Sequence, residues 1–428
     1  MAHAQDSTAQ STSAGTAASM SDSSAGAIDA GSVAAAGGYT AESVPTSSVL
    51  TPEQKMRSSQ SVTTIDQSQL QMVSPQASGM QALTLAPGVT VSGYSNQTGA
   101  ARSTLDVRGV KVGWNSVPGD LQTNGLTAEF DGIPLNSLIQ GTGWHSTEVP
   151  MALLMSGTNL IFGPGNPRER YYDSLGGTVN FIPVQPTDKA SAQFSAGYGS
   201  YNSQIFSATG TSGEHDGWSS VIGFVHSSYD SFRGGASTWP STGDQVFFKT
   251  NKRYSSGNIS FGFYWQHSDE YRPNMIPVDP IPGVTVAGLG QNAPLYSQKT
   301  TGFYSALPTN VWYKENQIEN VLAYAKLDQE LSDNSTLYDD LWFRHGLVTH
   351  HRINNQFPPL NPTGTEFYDP HSDTLGDKLY VDTTLYSGNV LTAGGYAIIS
   401  RTADRLSLYN ELMGKTPAQP SLFSFGTY

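Results

Sequence analysis

Few residue groupings in this sequence have the makeup of a catalytic site. The chain contains no glycine-rich phosphate loop, no Gly-x-Ser-x-Gly nucleophile turn and no His-Glu-x-x-His zinc motif. His145, Ser146 and Glu148 are neighbours in the chain, but a nucleophile, its base and an orienting acid must meet in space, which closeness in sequence does not ensure. We therefore interpret these three as polar loop residues, and we predict neither a catalytic residue nor a cofactor.

Three histidines form the nearest approach to a metal-binding pattern. His345, His350 and His351 fall near the end of one predicted strand and the start of a long loop, where neutral imidazoles could contact a metal or a chelate. Adjacent strand residues point to opposite faces, so His350 and His351 would not bind the same ion. The chain has no cysteine, which excludes thiolate sites and disulfides, and we predict no metal site.

The charge balance excludes one class of partner. The 428 residues include 35 acidic and 22 basic side chains, a formal net charge of −13, whereas a surface that binds nucleic acid must be basic to meet phosphate. Charged residues make up 13% of the chain, about half the usual share. This composition is typical of an exported β-rich protein, and no run of about 18 apolar residues predicts a transmembrane helix.

Composition and periodicity divide the chain into three segments. Residues 1–60 are rich in Ala, Ser, Gly and Thr and are predicted to be disordered, because they have too little apolar surface to offset the entropy of ordering. Residues 61–188 combine short strand and helix patterns with glycine and proline turns, which predicts a small α+β domain. In residues 189–428 apolar and polar residues alternate, which is the period of β-strands.

The strands of the third segment are predicted to cross a membrane in an antiparallel transmembrane β-barrel. Ile259, Phe261, Phe263 and Trp265 alternate with smaller or polar residues, as expected where one face meets lipid and the other a polar interior. Short turns at 213–217, 255–258, 332–335 and 387–389 alternate with longer connections at 231–243, 271–316 and 351–377. Outer-membrane barrels have this arrangement, whereas a soluble sandwich does not need it.

Six short motifs follow one another in a fixed order between residues 61 and 183. They are Ser61-Val-Thr-Thr-Ile-Asp66, Ala82-Leu-x-x-Ala86-Pro-Gly-Val89, Leu105-Asp-Val-Arg-Gly109, Asp131-Gly-Ile-Pro-Leu-Asn136, Gly163-Pro164 and Gly176-Gly-Thr-Val-Asn-Phe-Ile-Pro183. In order and spacing this series resembles the TonB-dependent outer-membrane receptors. The resemblance implies a plug domain at 61–188, followed by the N-terminal part of a barrel at 189–428.

The resemblance also implies a function and partners. It predicts active import of a scarce chelate across the bacterial outer membrane, driven by the TonB complex of the inner membrane, with a ferric siderophore as the expected ligand. The remaining expected partner is outer-membrane lipid, and we expect a monomer. A different class of function stays open, namely a secreted β-sheet protein that binds or cleaves carbohydrate. A passive porin is disfavoured by the predicted plug.

Three features depart from the family. We count about nine barrel strands, against about 22 in a plugged transporter of this type. Because a half barrel leaves unpaired strand edges in lipid, we expect a fragment of a longer protein or a chain that does not function alone. Arg168-Glu-Arg-Tyr-Tyr-Asp173 replaces the short link expected before the last motif, and no clear TonB box is visible. The best candidate for this box is Tyr39, Thr40, Ala41 and Glu42.

The family pattern assigns roles to a few side chains. Arginines inside a plug need carboxylate partners, so we predict that Arg108, Arg168 and Arg170 anchor the plug to the barrel wall. Arg108 is the first choice because it matches the family's Arg-Gly position. Ligand contacts are expected at exposed tips of the plug, where an aromatic residue has a polar neighbour. These candidates are Trp114 with Asn115 and Trp144 with His145.

Overall fold

Alternating apolar residues and glycine-rich turns give this chain a mainly β structure, with a small mixed domain preceding a large sheet. The computed structural model describes residues 47–58, 60–74, 77–93, 103–112, 125–136, 146–166, 168–169, 171, 174–233, 240–271, 276–280, 282, 285–286, 293–305, 313–353, 365–386, 389–409 and 423–427. Within these ranges, no helix has the length and apolar character needed to span a membrane.

The N-terminal domain consists of two small sheets and short helices. Its helices are α1 (Pro52–Arg57), α2 (Gln67–Leu70) and α3 (Gly79–Ala82). Its strands are β1 (Ser61–Asp66), β2 (Val89–Gly93), β3 (Ser103–Val107), β4 (Val110–Val112), β5 (Leu126–Phe130), β6 (Ile133–Pro134), β7 (Met155–Phe162) and β8 (Gly177–Pro183). One sheet has the order β1-β7-β8-β5-β6, in which β5 and β8 are parallel, and the other is β2-β3-β4. Short 3-10 turns occur at Leu83–Leu85, Ser146–Glu148 and Ala152–Leu154.

The domain begins earlier than residue 61, where the sequence analysis placed its boundary. Thr51 and Gln54 form a capping box that starts α1. Leu50 is buried, and its amide donates to Oδ1 of Asn159 at 3.3 Å. Asn159 Nδ2 donates in turn to the carbonyl of Ser48 at 2.9 Å. Residues 47–58 therefore belong to the ordered domain and not to the predicted disordered segment.

Eleven strands form a third sheet, the large sheet, in the described part of the chain. They are β9 (Ala190–Gly199), β10 (Ser203–His215), β11 (Trp218–Tyr229), β12 (Ser241–Tyr254), β13 (Gly257–Tyr271), β14 (Tyr313–Ser332), β15 (Ser335–Ile353), β16 (Thr365–Tyr368), β17 (His371–Tyr386), β18 (Asn389–Tyr409) and β19 (Phe423–Thr427), and a short helix, α4 (Gln298–Thr301), lies in the connection between β13 and β14. Nine of these strands have 10 to 21 residues, as the sequence predicted. The two additional strands, β16 and β19, have four and five residues.

Neighbouring strands pair antiparallel in chain order, except that β16 lies beside β15 and β18. The tight turns at 216–217, 255–256 and 333–334, and the junction of β17 with β18, all lie at one end of the sheet, which we call the short-turn end. The connections 230–240 and 272–312 join strands at the opposite end, the loop end. Across the described strands the sheet is open, with β9 at one edge.

The two faces of the large sheet differ as the alternation predicted. Phe247, Tyr264 and Trp342 point inward and are almost completely buried in one apolar core with the N-terminal domain. Phe248 and Phe263, each the neighbour of an inward residue, point outward and are 38% exposed. The sheet therefore contacts the domain on one face and presents apolar residues to its surroundings on the other.

Two inward glycines allow aromatic rings to lie flat against the sheet. Gly262 is the register partner of Tyr324, and Gly376 is the register partner of Trp342. A methyl group added at Gly376 would lie 2.0 Å from Cζ2 of Trp342, and one at Gly262 would lie 2.0 Å from Cζ of Tyr324. Glycine at these positions keeps both rings close to the sheet and leaves the space above them to the domain.

Replacement of Gly376 by alanine should lower the free energy of unfolding by about 1–3 kcal/mol, because the added methyl must displace Trp342 from tight packing. Urea unfolding in detergent micelles measures this change. Gly395→Ala, on the adjacent strand, is the matched control, since no heavy atom lies within 4 Å of a methyl group there. Equal losses in the two variants would contradict the packing explanation.

Candidate functional site

At the Asp131 turn, the N-terminal domain accepts buried hydrogen bonds from side chains of the large sheet. Asp131 and Gly132 both have positive φ, at 53° and 82°, as a two-residue turn between β5 and β6 requires. The carboxylate is fully buried. Lys249 Nζ and the Tyr324 hydroxyl donate to its Oδ2 at 2.6 and 2.7 Å, and Lys326 Nζ donates to the Asp131 carbonyl at 2.9 Å.

The wall side chains keep Asp131 ionised. Burial alone would raise the pKa of this carboxyl. The positive charges of Lys249 and Lys326, with hydrogen bonds from Lys249 and Tyr324, outweigh burial and hold the pKa of Asp131 below its ordinary value. Gln185 completes the cluster, because its Oε1 accepts from Lys249 Nζ at 2.8 Å. A buried charge with these partners is a specific anchor, since displacement of the turn would separate the carboxylate from its donors.

A second buried ion pair joins the domain to the sheet at Glu148. Arg344 Nη2 donates to Glu148 Oε1 at 2.9 Å, and the side chains are 1% and 2% exposed. The hydroxyl of Tyr264 donates to the Glu148 carbonyl at 2.9 Å. Nearby, the amide of Met151 donates to Gln245 Oε1 at 2.8 Å. Segment 146–151 is therefore bound to the inner face by its backbone as well as by its charge.

Arg168 makes the third contact between the domain and the sheet. Its guanidinium forms an ion pair with Asp382 on β17. It also lies over the rings of Tyr338 and Tyr380, with centroid distances of 4.9 and 5.0 Å. A planar guanidinium suits this combination of stacking and carboxylate pairing. Arg168 thus has the wall carboxylate that an anchoring arginine was expected to have.

Arg108, our first choice for an anchor, has its described ring contact within its own domain, and its role at the wall stays a prediction. The residue has a φ of 50° in the turn between β3 and β4 and is exposed. Its guanidinium lies 3.8 Å from the ring centroid of Phe162, which belongs to the same domain. The Arg-Gly pattern marks a positive-φ turn here.

The other sequence-predicted site residues lie outside the described residues. These are the third arginine, the two plug-tip pairs and the TonB-box candidate, namely Arg170, Trp114, Asn115, Trp144, His145, Tyr39, Thr40, Ala41 and Glu42. Their roles stay predictions.

The histidines at the loop end are paired with acids and aromatic rings. His350 Nε2 lies 2.8 Å from Glu366 Oε1, and Arg352 pairs with the other oxygen of Glu366 at 2.5 Å. His351 stacks on Phe367 with a centroid distance of 4.1 Å. Within the described residues, no group of three or more His, Asp or Glu side chains has an arrangement that could hold a metal ion.

Sequence reasoning missed the Asp131 cluster, although its signals were present. The Asp-Gly pair was recognised as a turn and as part of a family motif, but not as an anchor. Lys249, Tyr324 and Lys326 all fall on inward positions of their strands. Lysines on the inward face of a chain with so few charges require a buried acidic partner. That partner could not be identified without the fold.

Glu129 adds an unusual carboxyl to this interface. It lies on β5 two residues before Asp131, is 3% exposed, and its Oε1 has no hydrogen-bond partner among the described residues. Burial raises the pKa of Glu129 to about 8, and the charges of Lys378 and Lys326 offset only part of that effect. At neutral pH this carboxyl is therefore mostly protonated, whereas Asp131 is ionised.

Comparisons with known proteins agree with this geometry. Residues 54–160 match the family described as TonB-dependent Receptor Plug Domain. Comparison with curated proteins gives no match. Among solved structures, the fold resembles three receptors of iron chelates. The first is the ferripyoverdine receptor of the outer membrane of Pseudomonas aeruginosa, with a TM-score of 0.58 and 16% identity, covering 90% of this chain and 47% of that one. The second is the siderophore receptor PiuA from Acinetobacter baumannii, with a TM-score of 0.53 and 16% identity, covering 82% of this chain and 46% of that one. The third is the ferric citrate transporter FecA in its unliganded form, with a TM-score of 0.61 and 12% identity, covering 88% of this chain and 53% of that one.

Residues 54–160 match the plug domain of TonB-dependent receptors, and the strands that follow form an antiparallel sheet with the fold of the barrel strands in those solved structures. The chain spans about half the length of the solved structures that it resembles. The fold is that of bacterial outer-membrane proteins. From here the N-terminal domain is called the plug, and the inner face of the large sheet the barrel wall.

The protonated state of Glu129 predicts a pH dependence. Between its ordinary pKa of 4.5 and the folded value of about 8, the folded protein holds a proton that the unfolded chain has released. The contribution of Glu129 to stability therefore falls as pH rises through this window and levels off above it.

Glu129→Gln should remove this contribution to the slope of unfolding free energy against pH. The difference in unfolding free energy between the variant and the wild type should therefore grow from pH 4.5 to 8. Urea titrations at several pH values measure the difference. Glu330→Gln, at an exposed glutamate on β14, should leave the slope unchanged. A slope in Glu129→Gln equal to that of the wild type would refute the assignment.

Proposed function

We propose that this protein takes part in TonB-dependent import of an iron chelate across the outer membrane, with a ferric siderophore as the ligand. The observation that carries the proposal is a plug held against a barrel wall by buried ion pairs, at Asp131 with Lys249 and at Glu148 with Arg344. A plug that only filled space could use apolar packing alone. Ionic anchors fix one seated position, and they lose their stabilisation sharply once the plug is displaced.

The choice of ligand rests on what related structures are described to bind. They are a siderophore receptor, a ferripyoverdine receptor and a ferric citrate transporter, so an iron chelate is the shared class of ligand. The plug tips Trp114, Asn115, Trp144 and His145 remain our candidates for contact with it. We keep residues 39–42 as the candidate TonB box, the TonB complex as the energy-coupling partner, and a monomer as the functional state.

The alternative of a secreted carbohydrate-active protein is less well supported. Such a protein would face water on its outer surface. The outward face of this sheet instead carries a continuous row of apolar residues at paired strand positions, among them Ile222, Phe248, Phe343 and Ile399. A row of this kind favours contact with lipid acyl chains over contact with water or sugar.

Uptake in living cells tests the proposed function. Bacteria that express the gene encoding this chain, in an iron-starved strain without other chelate receptors, should accumulate radiolabelled ferric siderophore. The same strain without TonB should show only background accumulation, because the plug cannot be displaced without energy. TonB-independent accumulation would indicate a passive pore, and no accumulation of any ferric chelate tried would reject the import proposal.

A further inference from the structure

The inner face of the barrel wall changes its chemistry on the loop side of the plug contacts. Nearer the short-turn end the wall is charged, and Lys249 and Lys326 bind the plug turn described above. Six residues from Lys326 towards the loop end, the same face of β14 carries Asn320. Its register partner on β13 is Gln266, and Gln245 on β12 continues the row. The wall at this level is therefore lined by neutral amide side chains.

Two of these amides have buried polar atoms without a protein partner. Oε1 of Gln266, and both Oδ1 and Nδ2 of Asn320, make no hydrogen bond among the described residues. The two residues are 1% and 0% exposed. Gln245, in contrast, accepts from the Met151 amide of the plug. Because an unpaired buried polar atom is costly, proteins satisfy such atoms with a ligand or with ordered water. Gln266 and Asn320 are thus the wall amides that point to a partner outside the described protein.

Charge on this part of the wall is balanced. From the level of Arg344 to the loop end, the inward positions of the described strands hold three cations and two acids, and Glu148 of the plug adds a third acid. The cations are Lys314, Arg344 and Arg352, and the wall acids are Glu270 and Glu366. Arg344 pairs with Glu148, and Arg352 pairs with Glu366. The described wall therefore presents no surplus of positive charge to a ligand.

The segments that hold the plug-tip candidates add no cation. Residues 113–124 and 137–145 contain Asp120 and no Lys or Arg. A chelate with several negative charges would need cations here, because taking an anion out of water is costly unless a positive group compensates it. Amides both donate and accept hydrogen bonds, so they suit a neutral ligand that carries carbonyl and N–H groups.

We propose that the imported chelate is an uncharged ferric hydroxamate and that Gln266 and Asn320 bind its polar groups. Three hydroxamates, each with one negative charge, neutralise Fe³⁺, whereas three catecholates leave the complex with three negative charges. Asn320 Nδ2 donates to a carbonyl of the chelate, and Gln266 Oε1 and Asn320 Oδ1 accept from its N–H groups. This inference rests on the proposed import of an iron chelate, and it narrows that class of ligand to its neutral members.

Isothermal titration calorimetry on the detergent-solubilised protein tests the charge of the ligand. Two ferric chelates with the same tripodal backbone are compared, one with three hydroxamate arms and no net charge, the other with three catecholate arms. The uncharged chelate should bind at least about tenfold more tightly, because the anionic one must give up its hydration without a compensating cation. Glu270→Gln, which removes an acid from the inner wall, should narrow this difference.

Two substitutions test the site itself. Asn320→Leu and Gln266→Leu should each weaken binding of the uncharged chelate by about fivefold, the scale of one hydrogen bond. Gln317→Leu, at an exposed position on the outward face of β14, is the matched control and should leave binding unchanged. Circular dichroism verifies that all three variants fold.

The outcomes separate this inference from the proposed function. Tighter binding of the catecholate chelate would overturn the inference and leave import of a chelate in place. Unchanged binding in both Asn320→Leu and Gln266→Leu would show that the two amides hold ordered water only, and would overturn the site. Binding of neither chelate, together with no TonB-dependent uptake of either, would reject the import proposal as well.

Discussion

The ionised carboxylate of Asp131 is the constraint on which the position of the plug depends. A charge that is completely buried is stable only beside opposite charges and hydrogen-bond donors. Lys249, Tyr324 and Lys326 provide these partners from two strands of the wall. Because the three groups converge on one turn, a displacement of the plug would take the buried carboxylate away from Lys249 and Tyr324. This requirement determines the seated position more narrowly than apolar contact does.

The surrounding packing is arranged to bring that turn to the wall. Phe130, which precedes Asp131, stacks on Tyr264 at 4.3 Å and meets Phe247 edge-on at 5.3 Å. Tyr324 lies flat because its register partner is a glycine, so its hydroxyl reaches the carboxylate. Burial of these aromatic rings supplies non-directional stabilisation. The ion pairs fix the orientation of the plug. Displacement of the plug would break them, at a cost of about 3–5 kcal/mol for each buried charge left without its partner.

Much of this architecture could be predicted from the sequence, because it follows from local rules. The period-two alternation predicted nine long strands and their two faces, and the Asp-Gly pair predicted the turn at Asp131. β16 and β19 are too short to show a period. The helix at Pro52–Arg57 lies in a segment whose average composition suggested disorder, although Thr51 and Gln54 form a capping box. Composition averaged over 60 residues conceals such a local signal.

The anchors were harder to predict, because they depend on contacts between distant parts of the chain. Arg168 was predicted to be an anchoring arginine, and it pairs with Asp382, a residue 214 positions away that the sequence did not identify. Arg108 was selected by motif position, and its described ring contact is with Phe162 of the same domain. For Asp131 the motif was recognised, but its role as an anchor could be identified only from the positions of Lys249 and Tyr324. A sequence pattern gives the local conformation of a residue but not its partner across the interface.

A double-mutant cycle on Asp131 and Lys249 tests the central claim most directly. Asp131→Asn, Lys249→Met and the double variant are compared with the wild type by urea unfolding, with plug release followed separately by hydrogen exchange. If the two side chains form the anchor described, the coupling energy is at least about 1.5 kcal/mol, and the double variant is less damaged than the two single losses together. Additive losses, with a coupling energy below about 0.5 kcal/mol, would show that the plug is held in place by other contacts.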